Sequence, residues 1–88
     1  MKKIYVCKIF FKLDSSDNGD DILDDLIFFI EKNNMQFGGA LTPAKSIQGI
    51  IQLDTSKKNI AEKKYQSILD FFEKNKFKDR YISKFFLD

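Results

Sequence analysis

Hydrophobic and polar residues alternate along the start of the chain in the way that a half-buried β-strand requires. Between residues 3 and 13, one face of such a strand would be entirely apolar and the other would mix apolar residues with lysine. The apolar face would consist of Tyr5, Cys7, Ile9, Phe11 and Leu13, and the mixed face of Ile4, Val6, Lys8, Phe10 and Lys12. This period of two predicts a long first strand with one face turned toward a core.

After a polar loop that ends at Asn18-Gly19, the spacing becomes that of an amphipathic helix. Asp20 and Asp21 would lie in its first turn, where the helix dipole favours negative charge. The buried stripe is predicted to contain Ile22, Leu23, Leu26, Ile27 and Ile30, widened by Phe28 and Phe29. Asn33-Asn34 then predicts the end of the helix, because asparagine tolerates the left-handed backbone conformation found there.

The remaining pattern predicts two more strands, a second helix and a closing strand. Alternating apolar residues indicate strands around residues 35–40 and 47–53. Asn59 and Glu62 have the spacing of a capping box, so a second helix is expected to start there. Residues 81–87 are aromatic and β-branched without a helical period, and we expect a strand.

The order of these elements, β-α-β-β-α-β, indicates an α+β fold. With right-handed crossovers it favours the ferredoxin-like arrangement, in which two helices cover one face of a four-stranded antiparallel sheet. The chain has 88 residues and contains no linker or repeat, so we expect a single domain spanning residues 1–88.

The net charge is only +2, but acidic and basic residues are separated along the chain. Seven acidic residues and no basic one lie between Asp14 and Glu31, whereas nine basic and four acidic residues lie between Lys57 and Lys84. The electric field of such a charge distribution can steer a polyanion toward one end of a molecule.

The candidate contacts with RNA or another partner are Lys57, Lys58, Lys63, Lys64, Lys74, Lys76, Lys78 and Arg80. The candidate acidic partner face is Asp20, Asp21, Asp24 and Asp25. Lysine-rich helices are also ordinary solvated surfaces, and that alternative stays open.

The composition does not favour catalysis. The chain has no histidine, and Cys7 is the single cysteine, so a disulfide and a Cys–His pair are both excluded within the chain. We expect Cys7 to be a buried strand residue, and we expect no enzyme activity, cofactor, bound metal or small-molecule substrate. Residues 14–25 partly match the spacing of a calcium-binding loop, but Asp25 replaces the bidentate glutamate, so a loop that caps the helix is preferred.

Lysines interrupt the apolar residues at the start of the chain, which argues against a signal peptide or a membrane span. The sequence therefore predicts a cytoplasmic protein without a membrane partner.

Residues 3–7 resemble the first-strand signature of RNA-recognition domains. The companion strand at residues 46–53 has no aromatic side chain on which a base could stack. Base recognition on the sheet is not expected, and Tyr5 and Phe10 are predicted to be packing residues.

Residues 30–39 contain the run I-E-x-N-x-[LM]-x-F-x-G. Further matches follow in the same order: Asp24-Asp25, Phe29-Ile30, Gly49 with Ile50-Ile51, Glu62, Phe71-Phe72-Glu73, Ser83 and Asp88. Together they resemble the YggL-type 50S ribosome-binding family of small bacterial proteins, over residues 20–88. The resemblance implies a non-enzymatic protein that associates with the large ribosomal subunit. The basic second half would approach ribosomal RNA, and the acidic helix would face a protein or solvent.

A second hypothesis comes from another functional class. A small domain with strong charge asymmetry and no catalytic set is also typical of protein-binding inhibitors that mobile elements encode, such as anti-CRISPR or other anti-defence proteins. An acidic helix can imitate nucleic acid in such a protein. Gene neighbourhood would separate the two hypotheses. The oligomeric state stays open, because edge strands and the mixed face of the first strand can both pair with a partner.

Overall fold

The computed structural model describes residues 3–88, and over that range it shows an α+β fold of two helices and five antiparallel strands. The elements are β1 (Tyr5–Lys12), α1 (Gly19–Lys32), β2 (Gln36–Leu41), β3 (Ser46–Gln52), α2 (Lys58–Asn75), β4 (Lys78–Ile82) and β5 (Phe86–Leu87). The strand order is β2-β3-β1-β4, and β5 also pairs with β1. Neither α1 nor α2 is long and apolar enough to cross a membrane.

The predicted alternation of β1 is confirmed from Cys7 to Lys12. Cys7, Ile9 and Phe11 are buried, while Lys8 and Lys12 are exposed. Val6, which was predicted on the mixed face, is buried as well. The core also contains Leu26, Ile30, Met35, Ile47, Ile51, Leu53, Ala61, Ile68 and Phe72. Both helices therefore contribute to the same hydrophobic cluster as β1 and β3. Each fully buried Leu, Ile, Met or Phe side chain contributes about 1.5–3 kcal/mol.

The end of α1 has the predicted geometry. Asn33 is the C-cap, and Asn34 takes the left-handed conformation with φ 58°. The backbone N–H of Met35 donates to the carbonyl of Ile30 at 2.9 Å, which closes the helix end. This reversal places Met35 in the core and starts β2 at Gln36.

Gly39 and Gly49 lie directly opposite each other on β2 and β3. A Cβ atom added at Gly49 would lie 2.6 Å from the carbonyl oxygen of Gly38 and 2.7 Å from Phe37 Cε1. A Cβ at Gly39 would lie 2.6 Å from Phe37 Cζ. The Phe37 ring thus occupies the space above both glycines, and the requirement at Gly39 and Gly49 is close approach rather than positive φ.

The start of the second helix is the first of two boundaries that differ from the prediction. The second helix starts at Lys58, with Lys57 as its N-cap and no capping bond from a side chain, so the capping box at Asn59 and Glu62 does not form. Asn59 already lies inside the helix, because the turn at Asp54, with φ 54°, and Thr55 sends the chain into the helix earlier. The Lys57 N–H donates to Thr55 Oγ1 at 3.1 Å in this turn.

The predicted closing strand is divided into β4 and β5, so the sheet has five strands over residues 3–88 rather than four. At the break, the Ser83 hydroxyl accepts the N–H of Lys8 at 2.8 Å, in a place where a backbone carbonyl would normally accept. Phe85 then turns toward the core side, where its ring centroid lies 5.3 Å from that of Tyr5 and 5.2 Å from that of Tyr65. The side-chain bond at Ser83 and the packing of Phe85 together explain the interruption.

Candidate functional site

The eight predicted basic contacts lie on α2, at its two ends and on β4. Lys57 precedes α2, and Lys76 is its C-cap with φ 51°. Lys58, Lys63, Lys64 and Lys74 belong to the helix, while Lys78 and Arg80 belong to β4. The structure therefore does not bring them into one cluster, but distributes them along one long element and the strand that follows it.

Three of these eight residues are engaged within the fold. Lys64 Nζ donates to the carbonyls of Asn34 at 3.0 Å and Leu53 at 2.8 Å, and so connects α2 to the ends of α1 and β3. Lys78 forms an ion pair with Asp14 at 2.6 Å, and the hydrogen bond to Asp14 raises the pKa of Lys78.

Arg80, the third, forms an ion pair with Glu73 at 2.5 Å and donates to the Phe72 carbonyl at 3.2 Å. This side chain holds β4 against the end of α2. Lys64, Lys78 and Arg80 thus have structural roles that the sequence alone did not reveal.

The other five are exposed, and within residues 3–88 their side chains form no hydrogen bond or ion pair. We call this set the basic surface: Lys57, Lys58, Lys63, Lys74 and Lys76. Lys63 and Lys74 are eleven residues apart, which is three helical turns, so they lie on the same outward face of α2. The basic surface spans roughly 25–30 Å along the helix. Asp70, which accepts a hydrogen bond from Gln66 at 3.0 Å, separates its two ends.

The four predicted acidic residues, Asp20, Asp21, Asp24 and Asp25, are exposed on the first two turns of α1. We call this set the acidic face. Asn18 is the N-cap, and its Oδ1 accepts the N–H groups of Asp20 at 3.1 Å and Asp21 at 3.2 Å. The side chain of Asn18, in the loop before α1, thus caps the helix, which agrees with the prediction of a loop that caps the helix.

Phe28 is not part of the buried stripe, contrary to the prediction. Its side chain is 69% exposed, and it follows Asp24 by one helical turn, so it lies among the carboxylates of the acidic face. Phe29 does pack inward, with its ring centroid 4.2 Å from that of Phe71. The difference was detectable in the sequence, because steps of 100° put Phe28 about 200° from the buried Leu26.

Cys7 is buried, as predicted, and burial raises the pKa of its thiol to about 12. A thiol in this state is not a nucleophile at neutral pH. Over residues 3–88 the structure contains no group of three or more cysteine or carboxylate side chains arranged to hold a metal ion.

The features that remain are two surfaces of opposite charge, which can form electrostatic contacts with partners. One is the basic surface of α2, and the other is the acidic face of α1 with Phe28 exposed within it. Comparison with known proteins adds no relative to this description: no protein-family model matches the chain, and no curated protein or solved structure matches it significantly.

Proposed function

We propose that this protein is a non-enzymatic, YggL-like binding protein that associates with the large ribosomal subunit through the basic surface of α2. The observation that carries the proposal is the set of exposed lysines that the fold does not use, above all Lys63 and Lys74 on one outward face. Phosphates are the dominant source of affinity for nucleic acid, and lysines without internal partners are available to replace their counterions.

The resemblance in sequence supports the same proposal. In the run at residues 30–39, Asn33 is the C-cap of α1 and Phe37 covers the paired Gly39 and Gly49, so the resembling residues have definite structural roles. We include the ferredoxin-like arrangement in the proposal. Its support is the β2-β3-β1-β4 order, with β5 as a short addition beside β1.

The test is co-sedimentation with purified large ribosomal subunits at low and moderate salt. The wild-type protein is expected in the subunit fraction at low salt and to leave it as salt is added, because the contacts are electrostatic. The double variant Lys63→Gln/Lys74→Gln should bind more weakly. The matched control is Lys3→Gln/Lys84→Gln, which removes the same charge from exposed positions outside the basic surface. Absence of the wild-type protein from the subunit fraction at low salt contradicts the proposal.

A second candidate function is that of a protein-binding inhibitor of the mobile-element type. The observation that favours it is Phe28, a large apolar side chain exposed among the carboxylates of α1. Exposed aromatic anchors with a charged rim are typical of protein interfaces. This function predicts one stoichiometric protein partner that Phe28→Ser no longer binds. Recovery of the same ribosomal proteins by wild type and Phe28→Ser, with no additional partner, would contradict it.

A further inference from the structure

The sheet has a second face, turned away from the core cluster, that carries exposed aromatic side chains. Phe10 and Tyr81 are paired across β1 and β4, and Val6 is paired with Phe86 across β1 and β5. Tyr81 is 57% exposed and Phe86 is 39% exposed. Paired residues of an antiparallel ladder lie on the same face, so these aromatic residues share one surface with Lys8 and Lys12. We call it the open face.

The floor of the open face is flat beside these rings. A shallow groove runs across it, lined by the side chains of Lys8, Phe10, Gln48, Ile50 and Tyr81 and by the small residues Gly38, Ala40 and Gly49. A methyl group added at Gly38 would meet no atom within 4 Å, so the space above β2 is open. A planar group can therefore approach the sheet closely next to Phe10 and Tyr81.

The polar side chains of the open face are almost all cationic or neutral. Lys8 and Lys12 come from β1, and three exposed amides, Gln36, Gln48 and Gln52, come from β2 and β3. Among the described strand residues on this face, the one carboxylate is Asp79, which lies 3.8 Å from Lys12 at one end. Rings for stacking, amides for base edges and lysines for phosphates are the groups that bind single-stranded nucleic acid.

We propose that the open face binds single-stranded RNA, with Tyr81 and Phe10 stacking on bases and Lys8 and Lys12 contacting phosphates. The inference rests on the proposed function, since it names a second RNA-binding surface on a ribosome-associated protein. Lys8 is the reason for choosing this occupant over a second copy of the chain. It is paired with Ile50 in the middle of the exposed apolar residues, so an apolar partner would bury its charge without a counterion.

The sequence left the mixed face of β1 open to a partner but did not predict RNA binding there, because stacking residues were sought on β3. β3 does lack them, but β1, β4 and β5 provide them on the same face of the sheet. Phe10 was predicted to be a packing residue. It is partly buried on the open face, and Tyr5, which is also partly buried, packs against Phe85 on the core side.

The test is fluorescence anisotropy with a labelled, uridine-rich single strand of about ten nucleotides, a length suited to one small domain, and with a duplex RNA of equal length. The wild-type protein should bind the single strand more tightly than the duplex. Tyr81→Ala should weaken single-strand binding roughly tenfold or more, and Tyr81→Phe should retain most of it because the ring remains. Ile60→Ala is the control, since it removes an exposed apolar side chain from α2 and should leave the affinity unchanged.

A urea unfolding curve for each variant shows that it is folded before binding is measured. Equal affinity for single strand and duplex, or a Tyr81→Ala variant that binds like wild type, overturns the proposal and leaves the open face to a protein partner. The oligonucleotide assay contains no ribosome, and Lys63→Gln/Lys74→Gln leaves the open face intact. A failure here is therefore distinguishable from a failure of the ribosome association.

Discussion

Gly49 and Gly38 lie on neighbouring strands, yet a methyl group would meet opposite surroundings at the two positions. At Gly49 it would contact the Gly38 carbonyl oxygen at 2.6 Å and the Phe37 ring at 2.7 Å, whereas at Gly38 it would meet nothing within 4 Å. Neither glycine has a positive φ, so backbone strain does not enter the comparison. The difference comes only from the close pairing of β2 and β3 beneath Phe37.

Gly49→Ala is therefore expected to lower the free energy of unfolding by about 1–3 kcal/mol, because overpacking forces the strands or the Phe37 ring to move. Gly38→Ala is the matched control, and it should leave stability unchanged or raise it by up to about 1 kcal/mol through a less flexible unfolded chain. Urea unfolding of the two variants and wild type measures both effects. Equal stability of Gly49→Ala and Gly38→Ala would contradict the close contact between the strands.

Cys7 gives the protein a pH-dependent contribution to stability at alkaline pH. Burial raises the pKa of its thiol in the folded state to about 12, from an ordinary value of 9.0. Between these values the unfolded chain loses the thiol proton and the folded chain keeps it, so stability falls as pH rises. Below pH 9 both states are protonated and the effect is absent.

We expect wild type to lose about 2 kcal/mol of unfolding free energy, relative to Cys7→Ala, between pH 8 and pH 10.5. The variant is less stable at every pH because it leaves a small cavity, but it lacks this particular pH dependence. Urea unfolding of both proteins across the range isolates the thiol from the lysines and tyrosines, which titrate in both. Parallel pH profiles for the two proteins would show that Cys7 is not buried from water.

At the scale of elements, periodicity predicted the existence and order of most segments but not their joints. The alternation in β1 gave Cys7, Ile9 and Phe11, and the apolar repeat in α1 gave Leu26 and Ile30, because each depends on the local geometry of one element. Ile27, which was predicted in the same repeat, does not belong to the core cluster. Phe28 shows where this prediction fails within a helix. Its apolar side chain suggested burial, but its angular position on the helix leaves it exposed.

The joints depend on contacts between distant segments, and a single sequence does not reveal these. Ser83 interrupts the last strand by bonding to Lys8, which is 75 residues away. The start of α2 depends on the turn before it rather than on the capping box that its residues offered. For the candidate site, the separation of charge was visible in the sequence, but the internal roles of Lys64, Lys78 and Arg80 were not.

Lys63 and Lys64 are adjacent on α2 and provide a test of that distinction. Lys64→Met keeps the apolar stem but removes two hydrogen bonds to the carbonyls of Asn34 and Leu53. We expect a loss of about 1–2 kcal/mol in unfolding free energy, since bonds from a charged donor contribute more than neutral ones. Lys63→Met removes an exposed charge and should change stability by less than about 0.5 kcal/mol.

Thermal or urea unfolding of these two variants measures their difference in stability. Co-sedimentation with the large subunit measures whether the exposed lysine contributes to binding. Lys63→Met should weaken association with the large subunit while remaining as stable as wild type. A Lys63→Met variant that unfolds as easily as Lys64→Met would show that the two lysines have the same structural role, contrary to their observed contacts.

At the scale of the whole molecule, both helices lie on the core side of the sheet and the open face lies on the other side. The basic surface lies along α2, the acidic face lies along α1, and the open face of the sheet carries Tyr81, Phe86 and Lys8. The exposed aromatic residues of the sheet are thus separated from both charged helices, whereas Lys74 of the basic surface lines one groove with Asp25 and Phe28 of α1. The net charge of +2 would not by itself indicate this distribution.

The central claim is that the lysines of the basic surface bind the large ribosomal subunit. The most direct measurement is the affinity of the protein for purified large subunits as a function of salt concentration, for wild type, Lys63→Gln/Lys74→Gln and Lys3→Gln/Lys84→Gln. Wild type should bind at low salt, with a logarithmic salt dependence that becomes shallower by about 1.4–1.8 in Lys63→Gln/Lys74→Gln and stays unchanged in the control. No binding of wild type at low salt, or the same salt dependence in all three proteins, would contradict the claim.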